Sequence, residues 1–418
     1  MAILFLQAAQ VGSKIKMYER GARAALYIVS KTPAKPPAET FVADGSWDGT
    51  VNTPQLVTGM TPVAWDSTNS EFTPTTNADW YSYTAQPGTT PNGGTSKWAN
   101  AKTTNGSYLT WIPRYAYKIT NGYHGYNGTA GSGTLLASGT SGTIDIKFLQ
   151  GTSNNDMTGT DVTTQGYKIP PAFTNNPNNG GWDSEIAGIW VGKYDASQDG
   201  NGEVKIVPNA ASWVSTLVSG MFAACQAFDT NNNLSGMDSH MMKNSEWGAV
   251  AYLAQSQYGR NGTEVTINNY YVGSTIKTGY GGGSVSAAQD TTGNNSYAYN
   301  TVQGQLASTT GNITGVYDMS GGAYDYTAAY VYNGNASLTT YCSNLLTAAA
   351  KYKDVYSASS TSGTDTQATN YPLTSGKYGD AIYETSPSSA SPYTNSWFSD
   401  TSNMPYAARP VFLRGRQL

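Results

Sequence analysis

Acids, aromatics and glycines gather in one stretch, GNITGVYDMSGGAYDY at 311–326, where Asp318 and Asp325 are the groups able to do chemistry. Their hard oxygens suit Ca²⁺, which takes carboxylates and backbone carbonyls as ligands. The competing role for an acid in a glycine-rich stretch is to cap a turn by accepting from backbone amides. No activated nucleophile accompanies them. Two further acid pairs, Asp183 with Glu185 and Asp380 with Glu384, raise the question of acid–base work. Glycoside hydrolysis needs two carboxyls facing each other across a cleft at ~5–9 Å, and in a chain with 27 acids such neighbours arise by chance. The runs DASQDGNGE (195–203) and DTNNNLSGMD (229–238) have the flavour of calcium loops but lack the full EF-hand spacing with its closing Glu. Surface turns are the expectation for both. His124 and His240 stand far apart with no Cys at ligand spacing, which argues against a His-based metal site. Cys225 and Cys342 allow one bridge and exclude a disulfide-dense scaffold.

Composition narrows the class of function. Only 12% of the 418 residues are charged, against about 25% in an average soluble domain. Tyr (31) far outnumbers Phe (9), and Gly reaches 46. Such a surface stays in solution through neutral hydrogen-bonding groups, as in fibres, adhesins and paratopes, where Tyr supplies rigid amphipathic contact area. A net charge of -4 without a basic stripe excludes phosphate neutralisation, so no nucleic-acid partner is expected. Aromatics at 12% exclude disorder. The opening MAILFLQAAQVGSKIKMYERGARAALYIVSK carries Lys14, Lys16, Glu19, Arg20 and Arg23 where a secretory signal would be apolar. Neither a signal peptide nor membrane insertion is expected, and a protein loaded onto a particle inside the cell fits.

Punctuation divides the chain. A helix is expected around GARAALYIVSK, ended by KTPAKPPAE, because proline cannot continue a helix and favours an extended tether. Residues 1–40 therefore read as an attachment or oligomerisation segment, with 1–31 docking on other subunits. Residues 41–106, broken by Asp44-Gly45, Pro87-Gly88 and Asn92-Gly93, read as a small β-rich neck. Residues 107–418 read as the ligand-binding domain. Strands are predicted at SYLTWIPRYAYKIT (107–120), TIDIKFL (143–149) and IAGIWVGKYDA (186–196), and helices over 212–228 and 244–259. Asn244 is the expected cap of the second helix and Gly259 its stop.

MMKNSEWGAVAYLAQSQYG, GNITGVYDMSGGAYDY and the closing ARPVFLRGR together resemble the formylglycine-generating-enzyme-like branch of the C-type lectin fold. That family has a Glu-Trp helix, a Gly-[Leu/Val]-Tyr-Asp-Met core and a final Arg-Gly strand. The resemblance spans roughly residues 100–418 and implies an α+β, C-type-lectin-like domain with few helices, short strands and long loops. The same fold carries phage receptor-binding tips and retroelement-diversified variable proteins. Active enzymes of the family hold copper on two neighbouring cysteines near the C-terminus, whereas Cys225 and Cys342 lie far apart, so no copper chemistry is expected. Calcium on Asp318 and Asp325 is a further implication, since related domains often carry it. Gly315, Gly321 and Gly322 are expected to permit positive φ, with Tyr317, Met319 and Tyr324 supplying packing mass. By analogy with the variable relatives, ligand contact is expected from C-terminal aromatics set among Ser, Thr and Asn: Tyr383, Tyr393, Trp397, Phe398 and Tyr406. The expected function is non-enzymatic attachment of a virion, through an oligomer, to a host cell-surface glycan or protein. A structural virion protein and a secreted or pilus-associated bacterial adhesin are the alternatives.

Overall fold

Alternating apolar and polar residues between closely spaced turn residues produce short strands. The computed structural model describes residues 41–85, 95–121, 143–273, 275–358, 377–382, 384, 405 and 409–415, with the isolated strand pieces 18–20, 23–25, 126–127, 134–135 and 402–403. Met1–Phe41 and Val42–Leu418 separate into two units. In the first, Tyr18–Arg20 pairs antiparallel with Arg23–Ala25. That pairing makes Arg23–Ala25 extended where the composition predicts helix.

The second unit is built on a five-stranded antiparallel sheet. Its strands are β1 (Met60–Trp65), β2 (Glu71–Phe72), β3 (Asn100–Thr103), β4 (Tyr108–Pro113) and a later strand, Gly188–Gly192. After β5 (Tyr115–Asn121) and β6 (Thr143–Phe148), which pair with each other, Gly188–Gly192 is β7, and the sheet order is β7-β4-β3-β1-β2. This corrects the expected neck. Asn100, Ala101 and Lys102 of β3 register with Thr110, Leu109 and Tyr108 of β4, so the 106/107 boundary is the turn of a hairpin. The strands β1, β2 and β3 of this segment belong to the same sheet as β4 and β7. The aromatic run predicted as one strand over 107–120 is two, broken at fully buried Arg114. Its guanidinium donates to the Phe173 carbonyl at 2.6 Å and pairs with Glu185 at 2.6 Å, pinning two loops to the sheet edge.

Beyond this sheet lie α1 (Val218–Gln226) and α2 (Asn244–Gln255). The first is shorter than predicted because Ser212 and Trp213 donate their N–H groups to Ile276 and Ala196, which diverts the backbone into an extended path. The second is buried on every side, as a helix through the middle of a core must be. Its cap is Lys243 rather than Asn244: the Lys243 N–H donates to the Glu246 carboxylate at 2.9 Å, satisfying an otherwise orphaned terminal donor. It ends when Ser256 turns extended, short of Gly259.

The closing sheet contains β8 (Asp325–Tyr332), β9 (Asp354–Ser357), β10 (Ser402–Asn403) and β11 (Val411–Arg414) in the order β9-β8-β11-β10. β9 runs parallel to β8, and β11 antiparallel. Arg414, fully buried, lays its guanidinium 3.9 Å from the centroid of the Trp247 ring, tying the last strand to α2. Few helices and many short strands in small, mostly antiparallel sheets make a mixed α+β architecture. Among the described residues no helix is long and apolar enough to cross a membrane.

Candidate functional site

Two Tyr-Asp segments far apart in sequence grip each other in the interior. Tyr317 donates its backbone N–H to the Lys193 carbonyl at 2.8 Å. The Tyr194 and Tyr317 rings then lie 5.3 Å apart. Lys193, with no exposed surface, donates its ammonium protons to the carbonyls of Ile313 and Gly315, both at 2.7 Å. It lies among Trp65, Tyr194 and Tyr317 at 4.9, 5.8 and 5.3 Å from their centroids. Burial holds its pKa well below the ordinary lysine value.

Asp318 stands at φ 65, a left-handed conformation that Asp tolerates better than most residues. Its carboxylate accepts from Asn268 Nδ2 at 2.8 Å, Gly279 N–H at 2.9 Å and Asp195 N–H at 3.1 Å. These donors answer a negative charge without a cation. Accepting from backbone amides is what a turn-forming acid does, and among the described residues no group of three or more His, Cys, Asp or Glu is placed to hold a metal. Asp325 opens β8 opposite Arg414. Burial raises the carboxyls of Asp318 to about 6 and Asp325 to about 7 and holds that of Asp195 well above the ordinary aspartate value; the charges of Asp325 and Asp318 add to the rise at Asp195, and that of Asp318 to the rise at Asp325. Gly321, at φ 77, completes the knot: a Cβ there would come within 2.4 Å of the Asn268 carbonyl. Gly322 also has positive φ, but Gly315 does not, its role being close approach to Thr310. Tyr317 is buried as expected, while Met319 and Tyr324 are half-buried.

On the outside, β7 borders a cleft of about 450 Å³. Its walls include Trp111, Trp182 and Trp190, and its far side is the 234–242 segment with Glu246 behind it. Each indole N–H is already used: Trp111 donates to Asn52 O at 3.1 Å, Trp182 to Ala172 O at 2.9 Å, and Trp190 to Gln55 O at 2.7 Å. The rings are thereby fixed, and what they present is planar carbon. Gly188 permits the packing of two of them, because a Cβ there would sit 2.3 Å from the Trp111 ring.

His240 Nε2 lies 2.9 Å from both Glu246 oxygens, and Nδ1 lies 3.1 Å from the Asp238 carbonyl oxygen. Both ring nitrogens therefore face acceptors, an arrangement satisfied when both carry protons. Burial pushes the Glu246 carboxyl up, but His240 and Lys243 outweigh it and hold the group at about 2. Lys243 donates to the carbonyls of Gly180, Gly181 and Lys351 and lies 4.7 Å from the Trp182 centroid. At the rim, Asp238 accepts from Lys351 at 2.8 Å and from the Tyr352 hydroxyl at 2.6 Å. Such a cleft can hold a flat ligand between preset apolar planes and bond its edges at the rim.

The predicted contact residues Tyr383, Tyr393, Trp397, Phe398 and Tyr406 all lie outside the described residues, as does nearly all of 1–31. Each acid of the two pairs is engaged within the protein, Asp183 facing Lys351 at 3.4 Å. Glu185 binds Arg114, while Glu384 accepts from Tyr252 and Lys168 and Asp380 from Tyr356. In the 195–203 run, Asp199 accepts from the N–H groups of Asn201 and Glu203, an ordinary turn. Cys225 and Cys342 are free thiols, pushed up by burial to about 12 and about 11. Sequence reasoning missed the cleft: Trp182, Trp190 and His240 were each unremarked or set aside singly, although the Gly-flanked Trp190 in GIWVG marks an aromatic on the strand face opposite Ile189 and Val191. Compared with known proteins, the chain matches no protein-family profile and no curated protein.

Proposed function

We propose that this chain is a non-enzymatic recognition protein with a C-type-lectin-like domain, carried on a virion surface and attaching it to a host cell surface. The observation that supports the reading is the aromatic cleft. Its indole N–H groups, its buried carboxylate and its histidine are all satisfied within the protein, so what remains for a partner is contact surface. Binding sites are built in this way, from apolar planes and a few placed polar groups. The neutral, Tyr-rich composition agrees with a protein that works at a surface. The separate unit Met1–Phe41 suits an attachment segment that docks on other virion subunits.

The test is adsorption of the fluorescently labelled full chain, and of particles carrying it, to candidate host cells. Saturable adsorption, competed by unlabelled chain, is expected. Particles that incorporate the chain yet adsorb equally well without it would favour a structural decoration protein instead.

A further inference from the structure

We propose that the cleft beside β7 takes one pyranose ring of an uncharged glycan, lying flat on the Trp190 indole with its hydroxyls toward Gln55, Ser184 and Asp238. This rests on the recognition reading above and adds the class of ligand to it. A ring of that kind presents C–H bonds on one face and hydroxyls around its edge. The cleft presents the complement: indole planes whose N–H donors are spent on carbonyls, and polar groups at the mouth, where Gln55, Ser184 and Asp238 are exposed.

Charge decides against an ionic ligand. Glu246 is matched by His240 at 2.9 Å and Lys243 at 3.4 Å, and Asp238 by Lys351 at 2.8 Å. An acidic sugar or a phosphate would find its cation partners already engaged. A purely apolar chain is disfavoured for the opposite reason, since seating it would strip water from the rim groups without replacing their hydrogen bonds. Size agrees: about 450 Å³ lies toward the small end of ligand pockets, roughly 300–1,000 Å³, room for one sugar unit and part of the next.

The experiment uses the full chain, titrated separately with the methyl glycosides of glucose, galactose and N-acetylglucosamine. Glucuronic acid serves as the charged probe and anilinonaphthalene sulfonate as the apolar one. Saturation-transfer NMR and tryptophan fluorescence read binding. Ser184→Trp fills the exposed rim, and Val302→Ala, on an exposed residue outside the cleft lining, is the control; circular dichroism checks that both fold. Saturable binding of at least one neutral glycoside is expected, weakened about tenfold or more in Ser184→Trp and unchanged in Val302→Ala. Failure of all three glycosides, preference for the charged or apolar probe, or undiminished binding by folded Ser184→Trp would each overturn the inference. Cell adsorption run alongside separates the two readings. Adsorption without glycoside binding removes the ligand class and leaves recognition standing, whereas glycoside binding without adsorption keeps the site and removes the cellular role.

Discussion

Lys193 and His240 are both nitrogen bases ringed by aromatics, and they end in opposite circumstances. Lys193 is sealed among Trp65, Tyr194 and Tyr317, and two backbone carbonyls accept its hydrogen bonds. His240 is half-buried between Trp182 and Tyr352, with a carboxylate at one nitrogen and open cleft beside it. In the interior node the Tyr194 and Tyr317 rings are buried, so the polar groups beside them act on one another, and their work is to fix which loops meet. At the cleft the polar groups are just as fully matched, but Trp182 and Trp190 stay half-buried along its wall, with only Trp111 of the three closed off. Half-buried aromatic planes on a rigid polar frame, rather than unusual charges, distinguish the proposed recognition surface from the folding knot in this chain.

The contrast is broken most severely from inside. Tyr317→Ala removes a fully packed ring and a hydroxyl that donates to the Tyr299 carbonyl at 2.8 Å. The expected loss is about 3–5 kcal/mol, read from the urea midpoint. A loss near zero would mean that the two Tyr-Asp segments do not carry the fold.

Asp318→Ala comes next. It strands the Gly279 and Asp195 N–H groups and the Asn268 amide in the interior, and it places Ala at a φ of 65. About 3 kcal/mol of stability should go, while Asp318→Asn, which keeps an acceptor and tolerates that backbone, should lose less. Equal losses would show that the second carboxylate oxygen, which accepts from the Asp195 and Gly279 N–H groups and which Asn does not supply, carries the effect rather than a single acceptor or the backbone conformation.

The two regions should also respond oppositely to pH. In the node, burial holds Asp318 at about 6 and Asp325 at about 7, above the 3.8 of an ordinary aspartate. The folded chain therefore keeps protons that the unfolded chain releases, and this part of the stability falls as pH rises from about 4 to about 7. Glu246 behind the cleft behaves the other way. Its folded value of about 2 lies below 4.5, so its contribution is complete above about 4.5 and is lost as pH falls toward 2. Urea midpoints at pH about 4.5, 6 and 7.5 should decline in the natural chain and decline less in Asp325→Asn. Parallel curves would remove the acid cluster as the cause.

How much of this was legible follows from the range of the interactions. The strands around Trp111, Ile146 and Val191 and the helix around Trp247 announce themselves by local periodicity, and each is present. Positive φ at Gly321 and Gly322, though not at Gly315, and the burial of Tyr317 follow from reading the 311–326 stretch, yet nothing local reveals that its partner is Lys193-Tyr194-Asp195. The neck was misread because a hairpin turn and a linker share the same Gly, Ser and Asn vocabulary; only the register of β3 on β4 distinguishes them. The cleft was invisible for a stronger reason. Its walls come from residue 55, from 109–111, 182–192, 204–206, 225–228 and 234–246, and each piece is unexceptional until the fold brings them together.

The smallest effect sharpens the comparison at the cleft rim. Lys351 pairs with Asp238 at 2.8 Å, with side chains 23% and 41% exposed, and that hydrogen bond raises the lysine pKa. Water and salt screen such a pair, and holding both side chains in one geometry costs entropy, so exposed pairs contribute about 0–1 kcal/mol. Lys351→Met should therefore lower stability by about 0.5 kcal/mol, and the difference from the natural chain should shrink further near 1 M salt, where the screening length is ~3 Å. Its other effect should be larger than its cost. Asp238 and the exposed Asp183, which share this lysine at 2.8 and 3.4 Å, would lose their cation at the mouth of the cleft, and the rim would become more negative. A cationic sugar such as glucosamine should then gain on its neutral counterpart. If Lys351→Met instead destabilises the protein by several kcal/mol, the rim is part of the folding framework after all, and the division between a closed node and an open cleft does not hold.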